Sequence, residues 1–110
     1  MKEIIIVNTP DVPGRVVDKA LGMARGSTTR ARFIGRDFIA GLKMIAGGEI
    51  SEYTKLLKMA REQALERMIE DAGEMGADAV VNVRITTATI MSGASEILAY
   101  GTAVTLKADS

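Results

Sequence analysis

Between Ser51 and Gly76 the apolar residues Tyr53, Leu57, Ala60, Ala64, Met68, Ala72 and Met75 recur at steps of four and three. That spacing keeps one face of a helix of 3.6 residues per turn, and Leu56, Leu65 and Ile69 widen the stripe. Ser51 supplies an N-cap oxygen, Glu52 a first-turn acid and Gly76 the stop. One long amphipathic helix is the element around which the remaining segments must be arranged.

Those segments are short and mostly β-like. Residues 3–7 form a β-branched apolar run. Asn8 to Gly14 holds both prolines of the chain and reads as a turn. Residues 15–25 read as a strand with one small-residue face, where another backbone could approach closely. Gly26 to Arg32 reads as a polar loop. Asp37 to Ala46 reads as a short helix, apolar almost all round and ended by Gly47-Gly48; in so small a domain, such a helix is expected to bury itself against another subunit. Asp78 to Thr87 and Glu96 to Leu106 read as strands joined by a turn at 91–95, with Asn82 and Arg84 on the polar side of the first. At 110 residues the chain is expected to form one domain spanning 1–110. The order β-β-α-α-β-β predicts an α+β fold, a mainly antiparallel sheet with one short and one long helix.

Composition removes several chemistries. There is no His and no Cys, so there is no imidazole base, no thiolate nucleophile, no disulfide and no Cys/His zinc site. Walker A, G-x-G-x-x-G and G-x-S-x-G patterns do not occur. The Met residues are read as core or adaptable interface. No apolar stretch approaches a membrane span and no signal segment opens the chain, so the expected compartment is the cytoplasm.

Fourteen basic and fourteen acidic side chains cancel, which speaks against nucleic acid as a partner. Their distribution is uneven. Residues 1–48 carry eight Lys and Arg against four Asp and Glu, and residues 49–78 carry four against eight. Arg25, Arg30, Arg32 and Arg36 accumulate in the first block. Glu62, Glu66, Glu70 and Glu74 stack at i,i+4 on the long helix, where each adjacent pair repels by roughly 0.2–0.5 kcal/mol. The column is a solvated face, or pairs with the Arg25–Arg36 block within the chain or across a subunit boundary, or holds a hard divalent cation through its oxygens.

Other candidate positions each carry a structural reading beside a functional one. Gly47 and Gly48 stop a helix, or form an anion nest ahead of the Ser51 helix. Asp37 caps the short helix, and Arg36 could clamp an anionic ligand or a neighbouring carboxylate. Lys43 snorkels from an apolar helix, or serves as a desolvated base in an interfacial enzyme site. No catalytic set emerges, and no cofactor is predicted beyond that divalent metal.

Gly35-Arg36-Asp37-Phe38-Ile39-Ala40-Gly41-Leu42 running to Gly47-Gly48, then Tyr53, Leu56-Leu57, Ala60-Arg61 and Ala64, Gly76 to Val81, and Gly101-Thr102-Ala103-Val104 together resemble the YbjQ-like family of prokaryotic proteins, described as heavy-metal-binding. The resemblance covers nearly the whole chain. It implies an α+β subunit that assembles with copies of itself into a ring-like pentamer, and a biochemical role, structural or in small-ligand or metal binding, that is not settled.

Overall fold

The computed structural model describes residues 3–30, 51–91 and 94–108. The elements are β1 (Ile5–Ile6), β2 (Val17–Arg30), α1 (Ser51–Glu74), β3 (Ala79–Met91) and β4 (Ala94–Leu106). The strands form one sheet in the order β1-β3-β4-β2. β3 and β4 make an antiparallel hairpin, β4 pairs antiparallel with β2, and β1 runs parallel to β3. The α+β class holds, with a mixed sheet and, among the described residues, one helix. The short helix expected at 37–46 lies outside the described residues.

α1 covers one face of the sheet. Its stripe Ala60, Ala64, Met68 and Ala72 is fully or almost fully buried. It packs with Ala24 of β2, Val80 of β3 and Ile97, Ala99 and Ala103 of β4. Small residues dominate both sides, so the helix lies very close to the sheet. Gly26 marks the closest point. A Cβ there would fall among the backbone atoms of the helix, against the Ala64 carbonyl oxygen, the Arg67 carbonyl carbon and the Met68 nitrogen. Two residues on, the buried Thr28 hydroxyl donates to the Ala60 carbonyl at 3.2 Å.

This seat corrects the loop expected at 26–32. Residues 26–30 continue β2, in register with 95–99 of β4. Gly26, Ser27 and Thr28 look like turn chemistry, but Gly26 is needed to admit the helix backbone and Thr28 to bond it.

The helix stops as the sequence predicts. Gly76 has φ +83, its amide donates to Gly73, and the Ala77 amide reaches back to Ala72. Those two bonds are the Schellman pattern, closed by contact between Ala77 and Ala72 in the core. Asp78 then fastens the start of β3 to the end of β4: its amide donates to Val104 at 2.9 Å and its carboxylate accepts from the Leu106 amide at 2.7 Å.

Among the described residues, the opposite sheet face is covered only at one end. Val12, carried on the turn after β1, packs with Ala79, Val81, Val104 and Leu106, flanked by Val7 and Val17. The alternation expected along β3 breaks at Asn82, which takes φ +55 where the register between Val81 and Arg84 shifts. Val81 therefore belongs to this second cluster and Val83 to the helix side. The bulge turns two successive amides outward: Asn82 donates to Thr9 and Val83 to Val7. Asn82 and Arg84 consequently do not form the simple polar row expected of them.

The seat of α1 can be tested with a pair of substitutions. Gly26→Ala is expected to lower the unfolding free energy by about 1–3 kcal/mol through overpacking. Gly73→Ala places its Cβ at 3.6 Å from Ile4 Cδ1, an ordinary contact, and should raise stability by roughly 0.5–1 kcal/mol. Urea denaturation of both variants checks the contrast.

Candidate functional site

Three surfaces gather the residues with chemistry to offer. The first is the outer side of α1. Glu62, Glu66, Glu70 and Glu74 are all exposed there, on the side away from the buried stripe. Met59 is 61% exposed beside them. The helix has no basic residue in its last turn, so Glu70 and Glu74 face the negative end of its dipole. Asp71 has a different role. Its carboxylate accepts the backbone amide of Arg25 at 3.0 Å, while Arg67 Nη1 donates to the Ser27 carbonyl at 2.6 Å. Both backbone groups belong to β2, an edge strand, so two side chains of α1 close part of that edge.

The second surface is the end of the sheet's other face that no described residue covers. Arg25 and Arg84 are both register partners of Tyr100, one from each neighbouring strand. Ser27, Leu98 and Thr86 form the next row, and Met23, 57% exposed, stands opposite Thr102. Arg25 and Arg84 are exposed, and Tyr100 and Leu98 are half-buried. Only the backbone of Arg25 is tied down, through Asp71. Arg84 is steadied by two bonds from Nη1, to the Asn8 carbonyl at 2.8 Å and its own neighbour's carbonyl, Val83, at 3.0 Å.

The third surface lies along the free side of β3. An open groove of about 550 Å³ is walled by Ile6, Val7, Leu65, Val83 and Ile85, with Asn8 and Arg84 at its polar end. Beyond it the strand is bare. Residues 84–89 are exposed without interruption, and past the bulge β3 pairs only with β4 among the described residues.

Of the positions singled out from the sequence, Arg25 and the four glutamates fall on these surfaces. Arg30 ends β2 opposite Ser95. Arg32, Arg36, Asp37, Lys43, Gly47 and Gly48 lie outside the described residues. Sequence reasoning missed the row of Arg25, Tyr100 and Arg84, because its members are far apart in the chain and only strand register brings them together.

The profile of the YbjQ-like family, described as "Putative heavy-metal-binding", matches residues 4–107. The chain belongs to the YbjQ-like family. A UPF0145 protein of Archaeoglobus fulgidus is 58% identical over 106 residues, covering 96% of this chain and 98% of that protein. A UPF0145 protein of Methanosarcina acetivorans is 56% identical over 101 residues, covering 92% and 95%. The fold is similar to a solved structure from Pediococcus pentosaceus, a protein of unknown function in the DUF74 family. That likeness has a TM-score of 0.62 at 12% identity, over 94% of this chain and 98% of the other, and it speaks to the fold alone.

The YbjQ-like family description implies a metal, and the donors of this chain can be held against it. Soft heavy metals are bound by thiolate, imidazole or thioether; the chain has no Cys and no His, and its methionines form no Met-x-x-Met-type cluster. Among the described residues no three Asp or Glu come together as a ligand group. The glutamate column runs along a helix surface, about 6 Å of rise between members, and points its carboxylates outward rather than toward a common centre. The residues do not fit a heavy-metal site. Melting curves recorded with and without a tenfold excess of Cd²⁺ or Zn²⁺ are therefore expected to coincide. A stabilisation that tracks one bound ion per chain would contradict this.

Proposed function

We propose that this chain is a building block of a homo-oligomer, a ring-like pentamer, whose role is carried by the assembly rather than by a catalytic centre in one subunit. The observation that carries this reading is the state of β3. Six consecutive residues, Arg84 to Thr89, are exposed on both faces of the strand. After Arg84 the run Ile85-Thr86-Thr87-Ala88-Thr89 has no charge, no proline and no glycine. A strand of that composition with an open edge is a template for pairing with another chain, and edges that stay monomeric are usually blunted by charge, proline or a covering element.

The dimensions support the same reading. β2 has 14 residues and β3 and β4 have 13 each, against a usual strand of five or six. The molecule measures 59 × 25 × 24 Å with a radius of gyration of 17.3 Å, whereas a compact domain of this length has about 13 Å. An arm that long cannot bury its own surface, and a second copy can. Beyond the arm, Leu21 and Met23 on β2 and Met59 on α1 leave further apolar area to cover.

The mass in solution tests the proposal. Light scattering at micromolar concentration should return five times the mass of the chain, and a monomer would overturn it. Thr87→Pro removes an amide from the bare run and bends the edge. It should shift the population toward smaller species while leaving the α1 packing, and hence far-UV helicity, in place.

A further inference from the structure

We infer that the uncovered sheet face around Tyr100 is the docking surface for α1 of a second copy, with Arg25 and Arg84 receiving the glutamate column. The inference rests on the assembly reading above and says which surfaces meet. The two faces are chemically opposed. The sheet face carries exposed Arg25 and Arg84 on the strands to either side of half-buried Tyr100, with Met23 and Leu98 as apolar neighbours. The helix presents Glu62, Glu66, Glu70 and Glu74 in one exposed line, with the exposed Met59 alongside.

The spacings agree. Arg25 and Arg84 stand one strand to each side of β4, so their backbones are about 10 Å apart. Glu62 and Glu70 are two helical steps of four residues apart, about 12 Å along the axis. A helix laid across the three strands with its C-terminal end toward β2 sets Glu70 near Arg25 and Glu62 near Arg84. Each arginine can take a carboxylate through two parallel hydrogen bonds. Within one chain α1 packs on the opposite side of the sheet from this row. Across copies the meeting is heterologous: the helix of one subunit meets the sheet of the next, the type of contact that closes into a ring when the rotation permits. It also relieves the repulsion along the glutamate column, which the acid-rich end of α1 otherwise leaves unanswered.

Arg25 and Glu70 suit a charge-swap experiment, since the Arg25 side chain can be changed without touching the bond its backbone makes to Asp71, and Glu70 is exposed on the helix. Sedimentation equilibrium is measured for the full chain, for Arg25→Glu, for Glu70→Arg and for the two together, with thermal melts to confirm folding. Each single reversal is expected to weaken association at least tenfold, and the double variant to recover to within about threefold of the parent. Singles that assemble like the parent overturn the docking but leave the assembly reading standing; this is the result expected if the row instead binds a small anion or nucleic acid. A double variant no better than the singles also overturns it. A monomeric parent overturns both.

Discussion

The seating of the α1 backbone on Gly26 of β2 is the contact on which the rest of the structure depends. The helix lies against the sheet through alanines, glycine and the fully buried Met68, flanked by half-buried Leu65, Ile69 and Met75. Such a contact gains little apolar area per residue and instead relies on close approach and on a small number of polar ties. Thr28 bonds the helix carbonyl of Ala60. Asp71 and Arg67 reach past the strand edge to Arg25 and Ser27. Each of these depends on the helix being near enough for a short side chain to span the gap.

Close approach also explains what the subunit leaves uncovered. A helix of this kind shields one face of part of the sheet, and the turn carrying Val12 shields part of the other. The two edges are then treated differently. β2 has two outward backbone groups taken by α1. β3 is accompanied by residues 5–9 only as far as the bulge at Asn82 and Val83; from Ile85 to Thr89 it carries no charge and, among the described residues, pairs only with β4. One edge is thus partly closed and the other is left open among the described residues, and the proposed assembly rests on that asymmetry. The same logic separates the chain from its family description: the surfaces it leaves bare are suited to backbone pairing and arginine–carboxylate contact, while Cys and His are missing from the sequence and no acidic ligand group forms among the described residues.

Much of the fold was legible in the residues. The stripe at Ala60, Ala64, Met68 and Ala72 announced the buried face of α1, and Gly76 its end, because helical period and αL glycine are local properties. The small-residue face read on residues 15–25 meets α1 at Ala24, while Ala20 and Gly22 are exposed and the closest approach falls beyond it, at Gly26. What could not be read was non-local. The polar look of Gly26 to Arg30 concealed a strand, since only the opposing helix gives Gly26 and Thr28 their reason. The parallel pairing of β1 and the bulge at Asn82 depend on where residues 7–9 return. The candidate site divides in the same way. The acid column follows from spacing alone and was visible, whereas the row of Arg25, Tyr100 and Arg84 exists only through register.

Hydrogen exchange along β3 tests most directly whether the open edge is covered in the working protein. Val83 directs its amide outward to Val7, and by strand parity Ile85, Thr87 and Thr89 direct theirs to the same side. If copies of the chain close that edge, these three amides are protected to the same degree as the amides that β3 shares with β4. If they exchange at the rate of unstructured peptide while the β4-facing amides stay protected, the edge is open to water and the account of this chain as an assembling subunit is wrong.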